Sequence, residues 1–528
     1  MHIYDIKGDQ QKADAICKKN DRLKSMRSNW DTYWEQLAQY VLPRKDNVYG
    51  HPTVGEDKHN KLYDSTSIHS NELLASALHS MLTNPSSVWF GLATGDKEID
   101  NQKEVRQWLQ DAVMRIIKVL NNSNFQEEIH ETYTDLGGLG TNTLFMDEDE
   151  SDVVRFYSRP IYESYVQEDS KGQIDTVYRE YDYDLRQIVM AFGEDILKDL
   201  ELKMQYEKDA TRKYCIIHAV EPVPNTDRFA SYHVLKDKPM LLKEASFNEK
   251  PFAVPRWTKI SGEVYGRCPA MKALPDIKML NQMMRTAIRA AQKAADPPLM
   301  VPDNGFLLPL RTVPGGTNIY RAGTKDRIEP LVHNARVDIN ADMIEQIRVR
   351  VRQAFFIDQL QLQDGPQMTA TEVMQRTEEK LRMMGPILGR LNNELLKPII
   401  DRVFGIMLRK QMFGPIPEAL QKRDLEITYV SQISKAQRAS EADTFTRVIQ
   451  SIAPIIEAQP QVFDNLNGDQ ILRYHAKIFG LPEEMLRSPD AVEEARGARA
   501  QQEVDMAQAQ QDNIMADTQQ KLANSQQG

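Results

Sequence analysis

PDIKMLNQMMRTAIRAAQKAADPP, Pro275 to Pro298, decides how the chain is organised. Pro275 fits the first turn of a helix and Pro297-Pro298 fits its stop. The spacing predicts a helix over 275–295, about 30 Å long. Lys278, Arg285, Arg289 and Lys293 follow one another at intervals of seven, four and four residues. At about 100° per residue they fall within one narrow arc. Leu280, Met284, Ala287, Ala291 and Ala294 lie on the opposite side. A solvated face of an amphipathic helix is the usual explanation of such a pattern, and a basic stripe turned toward a polyanion is the alternative.

Downstream, 298–334 is rich in Gly and Pro and carries short β signals such as TNIYRAGT. Residues 338–360 read as helix again, and LQLQDGPQM as a loop. Thr369 to Met412 forms one long helical pattern with a capping box at Thr369 and Glu372. Met384, Leu388, Leu391, Leu395, Ile399, Val403 and Ile406 make its apolar stripe, which runs through Pro386 and Pro398. Those prolines are expected to kink the helix without ending it. Shorter helices are expected at 435–457 and 468–479. The Ala/Gln-rich tail from Ala491 buries little and is read as exposed helix or disorder.

Upstream, Trp30, Trp34, Leu37 and Val41 mark a helix over about residues 20–40, closed by Leu42-Pro43-Arg44. LASALHSMLTNPSSVWFGL, Leu74 to Leu92, reads as a helix stopped at Asn84-Pro85 and then a strand. Val105 to Leu120 is amphipathic. From about Asp152 to Ile260 the apolar period becomes two, with a hairpin turn at Ser170-Lys171-Gly172 and a helical interruption after Arg186. The expected class is α+β, mainly helical.

With 528 residues, 41% hydrophobic and 27% charged, the chain reads as soluble and as more than one domain. A net charge of −10 argues against clamping nucleic acid over the whole surface, but not against a local basic patch. Cys17, Cys215 and Cys268 have neither metal-ligand nor disulfide spacing, which points to a reducing compartment. No signal peptide or membrane-spanning run is expected. GGLG at Gly137 to Gly140 lacks the spacing of a phosphate loop and reads as a structural turn. DEDES at Asp147 to Ser151 reads as a solvated acidic turn, and His79 and His130 as ordinary helix residues. No catalytic triad or nucleophile elbow is recognisable.

Several blocks, taken in order, resemble the portal, or head-to-tail connector, proteins of short-tailed bacteriophages. They are WDTYWEQLAQYVLPR, YDSTSIHSNELLASALHSMLTNPSSVWFGL, ETYTDLGGLGTNTLF, PIYESYVQEDSKGQIDTVYREY, PFAVPRWTKISGEVYGRCPAMKALPDIKMLNQ and TATEVMQRTEEKLRMMGPILGRLNNELLKPIIDR. Together they cover roughly residues 20–430. The resemblance implies a portal fold that assembles as a twelve-subunit ring at one capsid vertex, through which double-stranded DNA is packaged and later ejected. On that fold 1–274 is the wing, 275–295 the stem helix, 296–337 the clip and 338–360 the second stem helix. Residues 361–368 are the tunnel loop, 369–430 a long kinked helix returning to the wing, and 431–490 a helical crown.

The implied partners are further copies of the chain, double-stranded DNA, the terminase large subunit, a tail adaptor, the major capsid protein, and scaffolding and internal core proteins. No membrane, cofactor or metal is expected. The implied location is the virion, with the host cytoplasm during assembly. Lys278, Arg285, Arg289 and Lys293 become candidates for the DNA channel. Gln363, Asp364, Gly365, Pro366 and Gln367 become the tunnel loop, and Arg321, Lys325 and Arg327 the clip's docking residues. Trp89 and Phe90 become core or subunit-interface anchors. The rival readings are another virion structural protein, shell or scaffold, and a nucleotide-binding enzyme.

Overall fold

The computed structural model describes residues 6–45, 62–100, 102–300, 329–330, 337–360, 384–420, 426–429, 468–479, 485–486, 491–499, 501–502, 504 and 506. The chain divides into two units, 1–431 and 432–528.

Helix α1 (Ile6–Val41) begins well before the expected residue 20. Its first half carries a weak apolar stripe, yet Ala13, Ile16 and Leu23 cover Tyr165, Tyr178, Ile217, Ala219 and Val234. Tertiary burial holds that half helical where periodicity gave little signal. Pro43 ends the helix in the 3-10 turn Pro43–Lys45. Then come α2 (Thr66–Leu82), β1 (Phe90–Ala93), the short α3 (Lys97–Asp100), α4 (Lys103–Asn122) and α5 (Phe125–Leu139). α2 and α5 approach so closely that a Cβ on Gly137 would lie 2.1 Å from Asn71 Oδ1. Gly140 caps α5 at φ +85° and accepts a hydrogen bond from Trp257 N at 2.9 Å. The glycine run therefore serves packing and a helix stop.

β2 (Thr143–Glu148) and β3 (Val154–Arg159) form a hairpin that takes Asp147 and Glu148 of DEDES into β2 and leaves 149–153 as its turn, with Asp149 Oδ1 accepting from Ser151 N at 2.7 Å and Asp152 N at 3.1 Å. A second, five-stranded antiparallel sheet contains β4 (Ser164–Glu168), β5 (Ile174–Asp184), β6 (Lys213–Pro222), β7 (Phe229–Leu235) and β8 (Met240–Phe247) in that spatial order. α6 (Leu185–Phe192) and α7 (Leu200–Lys208) interrupt it between β5 and β6. β9 (Phe252–Ala253) pairs with β2 and completes the three-stranded sheet.

Helix α8 (Pro269–Ala295) corrects the expected start at 275. Pro269 occupies the first turn, and Pro275 lies inside the helix. Proline has no N–H for the carbonyl four residues back. Tyr33 Oη supplies the missing donor to Met271 O at 3.3 Å. Beyond α8, β10 (Leu299–Met300) pairs with β11 (Glu329–Pro330). The helix expected over 338–360 is broken into α9 (Val337–Ala354) and α10 (Ile357–Leu360). Phe356 sits between them at φ +62°, a turn that lets both Phe355 and Ile357 bury.

Residues 384–391 are helical, Asn392–Leu396 form a π-helical turn, and α11 (Lys397–Arg409) follows. A proline ring clashes with the carbonyl four residues earlier, and a wider turn relieves that clash. The helix therefore passes through Pro398 as the apolar stripe requires. β12 (Glu426–Tyr429) pairs antiparallel with β1, Phe90 opposite Tyr429. The strand expected after Asn84-Pro85 thus finds its partner far along the chain. In the second unit, Gly468–Phe479 is helical as expected, and Arg496 forms paired hydrogen bonds with Asp469 at 2.6 and 2.7 Å. The capping box at Thr369 and Glu372 and the helix expected at 435–457 lie outside the described residues.

Candidate nucleic-acid interface

α8 and α9 form an antiparallel hairpin, with Asp276 4.0 Å from Arg350 near one end and the β10–β11 pair at the other. The first half of α8 is built into the chain, with Ala273, Leu274, Ile277, Leu280 and Asn281 buried. Asn281 Oδ1 accepts from Tyr63 N at 2.9 Å and Asp64 N at 3.2 Å. Asp64 in turn pairs with Arg348 of α9 at 2.8 Å. The second half is far more open: Ile288 is 38% exposed, and residues 291–295 are all exposed.

The basic stripe runs along both halves and divides between them. Lys278 Nζ donates to Gln36 Oε1 at 2.9 Å and stands 6.0 Å from the Tyr40 ring. Arg285 is half-buried and lies over the Tyr63 ring at 5.8 Å. Arg289 and Lys293 are exposed. Among the described residues none of the four forms an ion pair. Glu345, an acidic candidate for bridging to the stripe, is held by Arg352 at 2.8 Å and Arg348 at 3.4 Å on its own helix. The two proximal cations are thus tethered to α1 and to Tyr63, and the two distal ones are not. The sequence could not show that division, because Gln36, Tyr40 and Tyr63 come from distant segments.

Trp89 and Phe90 are 5% and 0% exposed within the chain itself, ring centroids 4.8 Å apart, and Trp89 stacks at 6.4 Å on Phe125. Arg321, Lys325 and Arg327, and Gln363, Asp364, Gly365, Pro366 and Gln367, lie outside the described residues.

One constellation escaped the sequence reading. Arg256 is buried, bonds Glu394 through Nη2 at 2.6 Å and Nε at 3.1 Å, and also pairs with Glu168. Its remaining N–H groups reach Gly172 O and Val264 O, each at 3.1 Å. Arg402, also buried, pairs with Glu249 at 2.8 Å, while Arg409 pairs with Glu249 at 2.5 Å and Glu148 at 2.6 Å. These pairs fasten the long helix to the two sheets. A signal existed: Arg402 falls on the apolar stripe between Ile399 and Ile406, where a charge must find a buried partner.

Among the described residues, no helix is long and apolar enough to cross a membrane, and no group of three or more side chains is arranged to hold a metal ion. The fold is a mostly helical α+β one, with the α8–α9 hairpin, a three-stranded sheet and a five-stranded sheet. The chain belongs to the bacteriophage head-to-tail connecting proteins, whose family model matches residues 13–486. It is 29% identical to the probable portal protein of Bordetella phage BPP-1 over 514 residues, which covers 94% of this chain and 92% of the relative. It is 30% identical to the portal protein of Salmonella phage epsilon15, over 93% and 91% of the two chains. With the portal protein of Enterobacteria phage T3 it shares 22% identity over 83% and 82%.

Proposed function

We propose that this chain is a portal subunit that closes, twelve at a time, into a ring at one capsid vertex, with the α8–α9 hairpins around a passage for double-stranded DNA. The observation that carries the reading is the distal half of α8, which exposes Arg289 and Lys293, without an ion pair among the described residues, on a helix anchored firmly at its other end. A few rings of positive charge steer a polyanion, while many phosphate contacts would hold it fast. The role is mechanical: a terminase motor docks on the insert between α8 and α9 during packaging, and a tail adaptor replaces it afterwards. Within this reading, 361–368 is the tunnel loop and 431–490 the crown.

The test is the double variant Arg289→Gln, Lys293→Gln beside Arg285→Gln. The distal pair should leave rings intact in negative-stain micrographs and change DNA packaging or retention in a salt-dependent way. Wild-type packaging at every salt concentration would reject the channel role. A fall in ring stability would assign the stripe to contacts between subunits.

A further inference from the structure

The two sheets meet across a layer that is apolar at Phe145, Phe247 and Phe252, whose ring centroids lie 4.7 to 6.5 Å apart. Toward the end of β3 that layer changes character. Cross-strand register aligns Arg179, His218, His233 and Lys243 on four neighbouring strands, on the face away from α1. Arg159 enters from β3, on the same face as Tyr157 and Phe145. Arg159 stacks on Tyr157 at 4.4 Å and Arg179 on Tyr181 at 4.1 Å, so both guanidinium planes are fixed by rings.

The carboxylates here are engaged elsewhere, Glu128 Oε2 accepting from Ser158 N at 2.6 Å. Glu163 Oε2 accepts from Arg179 Nε at 2.8 Å, and Asp147 acts on Lys243 from β2. Arg159 donates to no group among the described residues, and its Nε is buried. Burial, and then the neighbouring Arg179, weaken its hold on its own proton. Glu163 and Glu128 both act on Arg159, yet neither accepts a hydrogen bond from it among the described residues, so its guanidinium donors have no acceptor there.

We propose that Arg159 and Arg179 form a binding site for a single oxyanion, a phosphate or a carboxylate group, brought from outside the chain. A guanidinium held flat presents two parallel N–H donors, the geometry that grips such a group. The flanking tyrosines supply a partly desolvated wall, which strengthens the contact. Arg179 has only 12% of its side chain exposed, so the pair can be reached by one small group and not by the surface of a duplex.

The experiment is thermal unfolding of the full chain in sodium phosphate, sodium glutarate and sodium chloride at matched ionic strength, pH 7.5. Wild type should melt higher in at least one oxyanion than in chloride, and Arg159→Gln should lose that increment. A response to phosphate alone identifies a phosphate source, and a response to glutarate a carboxylate source. Should Arg159→Gln fail to fold, Arg159→Lys keeps the charge without the fork, and its half-saturating oxyanion concentration should rise about tenfold. Equal melting of wild type in all three salts, or an increment unchanged in the variant, overturns the proposal.

Discussion

His233 should make the five-stranded sheet sensitive to acid. Its ring stacks on His218 with centroids 4.1 Å apart and planes 11° apart, and Phe192 packs against its side at 5.1 Å. Burial, then Lys243 and Arg179, lower its pKa from 6.5 to about 4. His218 moves the same way for the same reasons, with His233, Arg179, Arg159 and Lys243 all opposing its charge. The folded protein therefore binds protons less readily than the unfolded chain between pH 6.5 and 4. Stability is complete above that window and falls as the pH drops through it. For a group moved from 6.5 to about 4, the loss between pH 7.5 and pH 5 is about 2 kcal/mol. His233→Phe keeps the ring contacts and removes the titrating group. At pH 7.5 it should be near neutral, since His233 Nδ1 has no hydrogen-bond partner. At pH 5 it should be more stable than wild type by about 2 kcal/mol. Urea unfolding followed by tryptophan fluorescence, at one fixed protein concentration, measures both. Parallel loss of stability in the two proteins from pH 7.5 to 5 would refute the reasoning.

Glu394→Gln should destabilise the first unit by about 3 kcal/mol, because it leaves Arg256 buried with Glu168 as its one remaining carboxylate; an unchanged urea midpoint would show that the pair contributes little. Gly140→Ala places a methyl 2.4 Å from Gly266 O at φ +85°, and a loss of more than about 2 kcal/mol is expected in the same assay. Charge reversal at Arg321, Lys325 and Arg327 should weaken terminase and adaptor docking in pull-down while rings persist in micrographs. Normal docking would remove those residues from the proposal.

The elements legible in the sequence were those whose burial lies on one continuous face. α4 shows every expected apolar position, Val105, Leu109, Val113, Ile116, Ile117 and Leu120, buried as spaced. The β4–β5 hairpin sits at its turn residues, and the long helix runs through Pro398. What failed had its cause elsewhere in the chain. The early start of α8 depends on Tyr33 completing the helix at Met271, and the first half of α1 on a sheet more than a hundred residues away. The stripe on α8 was visible as a pattern, but its division was not, since Tyr40 and Tyr63 reach it only through folding. Arg159 and Arg179 gave no signal at all, being single charges in alternating strands.

The energetics of α8 separate its two halves further. A helical segment of half this length is marginal in water without tertiary contacts. The first half has its contacts from α1, α9 and residues 62–64. The second half leaves Ile288, Ala291, Ala294 and Ala295 exposed even though α9 runs alongside it. Small residues on an open helix face permit another helix to approach closely, and Ile288 gains from being covered. Arg289 and Lys293 lie on the other side of the helix from Leu280 and Ala287. Covering the apolar side with the hairpin of a neighbouring copy would leave these two cations facing open solvent, which is the arrangement the ring proposal requires. Ala291→Glu puts this to the test: it places a charge on the side to be covered and leaves the chain's own core untouched. Loss of rings with retained folding of the single chain is the expected result, and normal ring assembly would refute the arrangement.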